Sequence, residues 1–469
     1  MLFNSSIFTV FLAIVLFGHW ALVSRRSRNL FLLGASYAFY GWWDWRFLAL
    51  LIGTSTIDFF VGVGIHDSQN DRTRKALVWL SCCTNLATLI FFKYFNFFSE
   101  NLRVALESAG VHPSWPVLNI ILPVGVSFYT LQAMTYTIDI YRRVIPPCRD
   151  YPDFLLFVSY FPQLVAGPIS KARHLLPQIR AERRFDPALA AQAIPYIAIG
   201  YVLKTVVADN MADIVTTTLA NVRAHSGLEL AIVAYCNAYE MYGDFAGYTY
   251  IALGVSMLFG IQLPQNFRMP FLSQSVKEYW SRWHISLTSW LREYLYFSLG
   301  GSRLGVWRQR LNIMIVFVLS GLWHGARWPC VVWGFINGFE YFIPAPFSSK
   351  RRVGAVLNTF VMLNLLVASI IFFRVVHLND AFLTLERVAT DFWPTAGEPG
   401  IAEIWHLYWW RVLLIVGVIG FEIVQRHAQD LPQIAWWRPW VRYAFYGALA
   451  MLYFYRGNFS RIPFVYFQF

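Results

Sequence analysis

Apolar stretches of about 20 residues, each long enough to cross a bilayer as a helix, recur along the whole chain. Short polar breaks separate them, most of them rich in Lys and Arg. The pattern predicts apolar segments at residues 7–23, 30–43, 47–65, 76–98 and 118–140. A second series follows at 194–207, 228–242, 247–263, 311–342, 357–373, 409–422 and 443–455. Arg25, Arg26 and Arg28 follow the first segment, and Arg72, Arg74 and Lys75 follow the third. By the positive-inside rule these clusters face the cytoplasm and the N-terminus lies outside. Arg142-Arg143 and Lys350-Arg351-Arg352 mark further cytoplasmic turns. The aromatic cluster Trp42-Trp43-Asp44-Trp45 falls at the outer interface, where aromatic belts form. The first run is too long for a signal-peptide core and lacks a small-residue cleavage site, so it reads as a retained span.

Some stretches depart from this rhythm. Residues 100–115 are more polar and read as an interfacial helix ended by Pro113 and Pro116. Residues 154–169 are apolar but hold Pro162, Gly167 and Pro168, which suits a re-entrant or broken helix buried in protein. They lead into Lys171, Arg173, Arg180, Arg183 and Arg184, an interfacial stretch able to attract anionic head groups or the phosphates of a nucleotide-containing donor. Residues 379–403 are polar and are expected outside. The expected architecture is an all-α integral membrane protein of about ten to twelve spanning segments. We read it as one domain over 1–469, with N-terminal spans (1–115), a catalytic core (116–345) and C-terminal spans (346–469).

Composition agrees with lipid as the solvent. Only 14% of the 469 residues are charged and 57% are hydrophobic, where a soluble domain carries about 25% charged residues. The formal net charge of +12 then reports basic cytoplasmic loops and not nucleic-acid binding. The five cysteines, Cys82, Cys83, Cys148, Cys236 and Cys330, show no metal-ligand spacing, and their odd number argues against a complete disulfide framework.

Against that background, ionisable side chains inside apolar runs stand out, because each is costly at membrane depth. Residues 280–294, read as a helix, put Trp280, Trp283, His284, Leu287, Trp290, Leu291 and Tyr294 on one face. Arg282, Ser286, Ser289 and Glu293 share another. Such a helix lies at an interface or lines a cavity more readily than it spans. The second histidine stands in Ser320-Gly321-Leu322-Trp323-His324-Gly325, deep in the apolar run 311–342. Gly321/Gly325, Gly243/Gly247 and Gly334/Gly338 are small-xxx-small pairs that let helices approach closely. Glycines beside the histidine also leave space before its ring for a substrate. Asp244, within Tyr239–Thr249, needs a partner. Either it orients His324 or His284, or pairs with Arg282, or it forms a structural ion pair with a basic residue on another helix. No GxSxG elbow, P-loop, HExxH or metal cluster is present. A lone imidazole base suits direct attack of a substrate hydroxyl on an activated acyl group.

Six motifs in order carry a resemblance over residues 30 to the C-terminus. They are Leu122-Pro123-Val124-Gly125-Val126-Ser127-Phe128-Tyr129-Thr130, Phe161-Pro162-Gln163-Leu164-Val165-Ala166-Gly167-Pro168-Ile169, Asp244-Phe245-Ala246-Gly247-Tyr248, Pro264-Gln265-Asn266-Phe267, Trp283-His284-Ile285-Ser286-Leu287 and Gly321-Leu322-Trp323-His324-Gly325. The chain resembles the membrane-bound O-acyltransferases, in the bacterial branch that holds the membrane subunit of alginate O-acetylation. The resemblance implies that His324 matches the family's catalytic histidine, deep in a central funnel, and His284 a second histidine before it. Trp323, Trp283, Asp244, Tyr248, Ser320 and Arg282 are then candidates for lining the substrate or donor path. One departure is Thr249-Tyr250, where the branch pattern carries an acidic residue and a serine; Asp244 is the acid left nearby.

The resemblance further implies an acetyl-coenzyme A donor taken from the cytoplasmic side, with no tightly bound cofactor and no metal. It implies an extracytoplasmic acetyltransferase partner of SGNH or jelly-roll type, which completes transfer to an exported polysaccharide. The expected location is the bacterial inner membrane. Two other readings stand beside it: D-alanyl transfer to teichoic acid from a carrier-protein thioester, and a polysaccharide or small-molecule transporter. Broken helices and buried charges such as Asp58, Lys204, Asp209 and Asp244 are transporter features too. The aromatic C-terminus, Arg461 to Phe469, could dock a partner or face lipid.

Overall fold

The computed structural model describes residues 1–113, 118–425, 434, 437–460 and 464. Helix is the only regular element among them. Five helices are long and apolar enough to cross a bilayer: Arg46–Asp67, Asp71–Ser108, Pro187–Ala220, Arg352–Arg374 and Ile401–Gln425. Large apolar side chains stand exposed on them, among them Phe60, Trp79, Ile194, Val353 and Trp405. Water would penalise such faces and lipid does not, so the protein is a multi-pass membrane protein. The chain divides into two compact units, Met1–Ala193 with Ala252–Pro264, and Ile194–Ile251 with Gln265–Phe469.

In the first unit, Arg46–Asp67, Asp71–Ser108 and Val126–Tyr141 pack on one another. Asp58 ties them together: it accepts hydrogen bonds from Ser81 (2.5 Å) and Asn85 (2.9 Å), and Ser81 meets Thr137 at 2.8 Å. Residues 76–98 and the first part of 100–115, expected as a span and a separate interfacial helix, run together as Asp71–Ser108, with a π-helical turn at Ile90–Tyr94; residues 114 and 115 lie outside the described residues. The polar part stays helical because Arg103 pairs with Glu100 (2.5 Å) and Glu107 (2.6 Å), one turn away on either side. The expected break near Pro162 is present. Tyr151–Ser159 stops at Tyr160, and the single turn Phe161–Leu164 follows, wholly buried. The Phe157 carbonyl at the break accepts from Gln132 (2.6 Å) and Gln163 (3.1 Å). Arg183 does not reach outward from the basic stretch. It folds back and donates to the carbonyls of Gln178 and Ile179, both at 3.0 Å, capping the helix Ala172–Arg180.

In the second unit the differences from the sequence reading bear on the chemistry. Segments 228–242 and 247–263 prove to be one helix, Gly227–Leu258. Gly243 and Gly247 do not interrupt it; they receive the backbone of another helix. A Cβ on Gly247 would lie 2.8 Å from the Gly200 carbonyl oxygen, and one on Gly243 would lie 2.9 Å from that of Leu203. The receiving stretch of Pro187–Ala220 is π-helical from Val202 to Ala208. Residues beyond the last helix, Pro439–Arg456, supply it with partners: the Asn458 N–H donates to the Thr205 carbonyl at 2.9 Å.

Residues 311–342 do not cross as one span. They form an antiparallel hairpin of Val306–His324 and Trp328–Glu340, with His324 closing the first helix. Gly325 is extended there, and Pro329 sits in the first turn of the second helix, where a missing N–H costs nothing. The glycines make the hairpin close. A Cβ on Gly321 would strike the Cys330 carbonyl and approach the Gly334 Cα to 3.1 Å. Gly325 is likewise filled, by the Cys330 Sγ at 2.6 Å from its virtual Cβ. These glycines therefore serve backbone packing, and the room where their side chains would stand is already filled.

Candidate active site

The stretch 280–294 is not one helix either. Val276–Arg282 ends at Trp283, and Ile285–Trp290 begins after His284. His284 carries the break, with φ 43° and ψ 51°, a left-handed conformation that a non-glycine residue adopts only when its surroundings impose it. Asn266 imposes it. Its carbonyl accepts from the Ile285 N–H at 2.9 Å, and its Oδ1 accepts from the Ser286 Oγ at 2.8 Å and the Ser286 N–H at 3.2 Å. Next door, the Arg268 N–H donates to the Arg282 carbonyl at 2.9 Å. The Gln265-Asn266-Phe267 motif is thus the clamp that turns the Trp-His pair inward. The shared-face argument for 280–294 fails because this clamp breaks the helix.

The clamped His284 is buried edge-on to Phe245, with ring centroids 4.6 Å apart. Its ring lies 6.2 Å from that of His324 and 6.1 Å from that of Trp323, centroid to centroid. His324 is buried at the hairpin turn within an aromatic collar. The Trp323, Trp333 and Phe373 rings stand 4.9, 5.3 and 5.3 Å from it, all steeply inclined.

His324 also lines a cavity with Trp283, Trp333, Phe373, Asn337 and Ser369, whose walls also include the apolar side chains of Met241 and Leu366. Its free volume is about 10 Å³, room for roughly one water molecule. The pattern of the sequence pointed to Trp283 and the two histidines. It did not point to Trp333, Phe373, Asn337 or Ser369. Asn337 and Ser369 are polar residues within apolar helices, and that is the signal from which they could have been found.

The remaining candidates lie elsewhere. Asp244 pairs with Lys204 at 2.7 Å, and Lys204 pairs with Asp209 at 2.7 Å, all three buried. Close approach at Gly243 and Gly247 brings Asp244 to this lysine, so the structural ion pair is the reading the geometry supports. A second pair, Arg374 with Glu240 at 3.5 Å, is carried one helical turn from Asp244. Arg282 pairs with Glu278 at 2.5 Å, four residues before it, and not with Asp244. Tyr248 packs against Phe464 at 5.1 Å between centroids, and Ser320 is buried within its helix. Apart from the buried Phe464, the stretch 461–469 lies outside the described residues.

Two buried imidazoles stand near one another among aromatic rings, and one of them, His324, lines a cavity, in a protein whose helices present apolar faces to a membrane. The chain belongs to the membrane-bound O-acyltransferase family and is an acyltransferase; the family's sequence profile matches residues 147–348, which hold both Trp-His pairs. Among its relatives, a probable alginate O-acetylase of Pseudomonas aeruginosa is 35% identical over 83% of this chain and 75% of its own length. Its counterpart in Azotobacter vinelandii is 38% identical, over 72% and 67%. A peptidoglycan O-acetyltransferase of Helicobacter pylori is 30% identical, over 82% and 79%.

Proposed function

We propose that the protein moves an acetyl group from a cytoplasmic thioester, acetyl-coenzyme A, toward the hydroxyl groups of an exported or cell-surface polysaccharide. The observation that carries this reading is His324 at the end of its helix, in a pocket with room for one water molecule. The relatives named above act on different polymers, alginate and peptidoglycan, yet are named for the same transferred group. In the proposed reaction the oxygen of an acceptor hydroxyl, whose ester the partner later passes on to the polymer, attacks the thioester carbonyl while His324 takes the hydroxyl proton. The carbon–sulfur bond breaks, the thiolate leaves, and the imidazolium returns the proton to it. The products are an ester and a free thiol. The last carbonyls of the helix Val306–His324 carry partial negative charge and favour the transient imidazolium. The clamped His284 orients the reacting group from the other side. The aromatic collar excludes bulk water, which would otherwise hydrolyse the thioester.

This reading includes about ten to twelve segments crossing the inner membrane, surrounding a funnel that leads to His324. It includes an extracytoplasmic partner of SGNH or jelly-roll type that completes transfer to the polymer. The test is His324→Ala in cells that O-acetylate a surface polysaccharide. Polymer acetylation should disappear while the variant accumulates in the membrane at the wild-type level. Normal acetylation in that variant would remove His324 from the chemistry.

A further inference from the structure

One residue lining the His324 cavity carries a polar atom with no task in the fold. Asn337 is 1% exposed and lines that cavity. Its carboxamide has a fixed orientation. The Nδ2 group donates to the Trp333 carbonyl at 2.9 Å and to the Ser369 Oγ at 3.3 Å. A carbonyl can only accept, so the nitrogen must face Trp333. Ser369 is fixed in turn, its Oγ donating to the Leu366 carbonyl at 3.1 Å. The Asn337 Oδ1 is then left buried with no hydrogen bond among the described residues. An unmet acceptor in such a place costs about 1–3 kcal/mol. An apolar residue of similar size would avoid that cost.

An orphan acceptor asks for a donor, and the reaction limits which donor it can be. A thioester carbonyl has no hydrogen to give, and the tetrahedral oxyanion it becomes would be repelled by a second oxygen. The attacking hydroxyl has one proton, which goes to His324. A single water can meet it while the cavity holds no donor; within the donor that displaces that water, what remains is an amide N–H. A thioester on coenzyme A, or on the prosthetic arm of a carrier protein, carries one two carbons from the sulfur. We propose that the Asn337 Oδ1 accepts a hydrogen bond from this amide N–H, so that Asn337 is a donor-binding residue that places the thioester carbonyl beside His324. The inference rests on the thioester reading given above. Ser369 acts through Asn337 as a positioning residue, holding the carboxamide so that its oxygen is presented to the cavity.

The test compares two thioesters on the purified full-length chain in lipid nanodiscs. One is acetyl-coenzyme A; the other is its analogue with the amide N–H nearest the sulfur replaced by an ester oxygen. Equilibrium binding of each is measured for the wild type and for Asn337→Leu, which keeps the branched side-chain shape without its polar atoms. A parallel arm uses an acetylated carrier protein with the same replacement, and the arm that binds identifies the source of the donor. The wild type should bind the ester analogue about tenfold more weakly than the natural thioester. Asn337→Leu should bind the natural thioester about tenfold more weakly than the wild type does, and should not distinguish the two. If Asn337→Leu does not purify as a monodisperse species, Asn337→Ala serves the same comparison. Equal discrimination by variant and wild type, or none by the wild type, overturns the role of Asn337 and leaves the donor reading standing. Failure of both thioesters to bind the wild type overturns the donor reading, and this inference with it.

Discussion

Single residues in this protein are legible where they violate the lipid environment. Both histidines, Asp244 and Lys204 stand out in the sequence because buried charge or imidazole is expensive in an apolar run. What each one does is less legible, because its partner lies on another helix. Asp244 could be read as the orienter of an imidazole until Lys204 is found 2.7 Å away. Lys204 faces two carboxylates, Asp209 and Asp244, and removing it leaves both buried without their cation. Lys204→Ala should therefore cost about 3–5 kcal/mol, read as a lowered unfolding midpoint in detergent. Asp244→Asn, which leaves the Lys204–Asp209 pair intact, should cost clearly less. Equal losses would show that Asp209 contributes nothing to the pair. Asn337 escapes the sequence for the opposite reason. An amide inside an apolar helix signals a buried polar group, and its role shows only once its Oδ1 is seen to lack a hydrogen bond among the described residues.

The periodicity marks apolar stretches well and marks their ends poorly. The spans near 47–65, 357–373 and 409–422 correspond to Arg46–Asp67, Arg352–Arg374 and Ile401–Gln425. Errors fall where glycine has two meanings. The pair Gly243 and Gly247 is a close-approach motif as read, crossing at Gly200, but the segment boundary drawn between them is wrong, because they lie inside one long helix. Gly325, followed closely by Pro329, does mark an interruption, and the apolar count from 311 to 342 hides it. The left-handed turn at His284 depends on Asn266, eighteen positions earlier, which no local pattern contains. The hairpin reading yields a sharp expectation. Gly321→Leu would push a side chain into the Cys330 carbonyl and the Gly334 backbone, at about 1–3 kcal/mol for an overpacked contact. Thermal stability in detergent should fall, and acyl transfer with it, because His324 is three residues on. A variant of undiminished stability would mean that the two helices are not in contact there.

Across the whole molecule the class is written in composition and the chemistry in a few crossings. An all-helical chain with exposed aromatic faces follows from 57% hydrophobic residues; the place where two imidazoles meet does not, because it is set by contacts among Asn266, Phe245, Trp323 and Phe373. The collar around His324 has a consequence for the cell as well as for the reaction. An enzyme with a proton-accepting group at membrane depth risks short-circuiting the proton gradient across the membrane it occupies. Continuous conduction needs a file of waters, and a space of about 10 Å³ admits roughly one. With His324 as the proposed base, Trp333 and Phe373, 5.1 Å apart, would act as electrical insulation. Replacing both by Ala should speed the decay of an imposed pH difference across proteoliposomes, with no acyl donor present. Decay at the wild-type rate would put the insulating barrier elsewhere. Aromatic residues packed against a membrane base, on this view, keep an acyltransferase from becoming a proton channel.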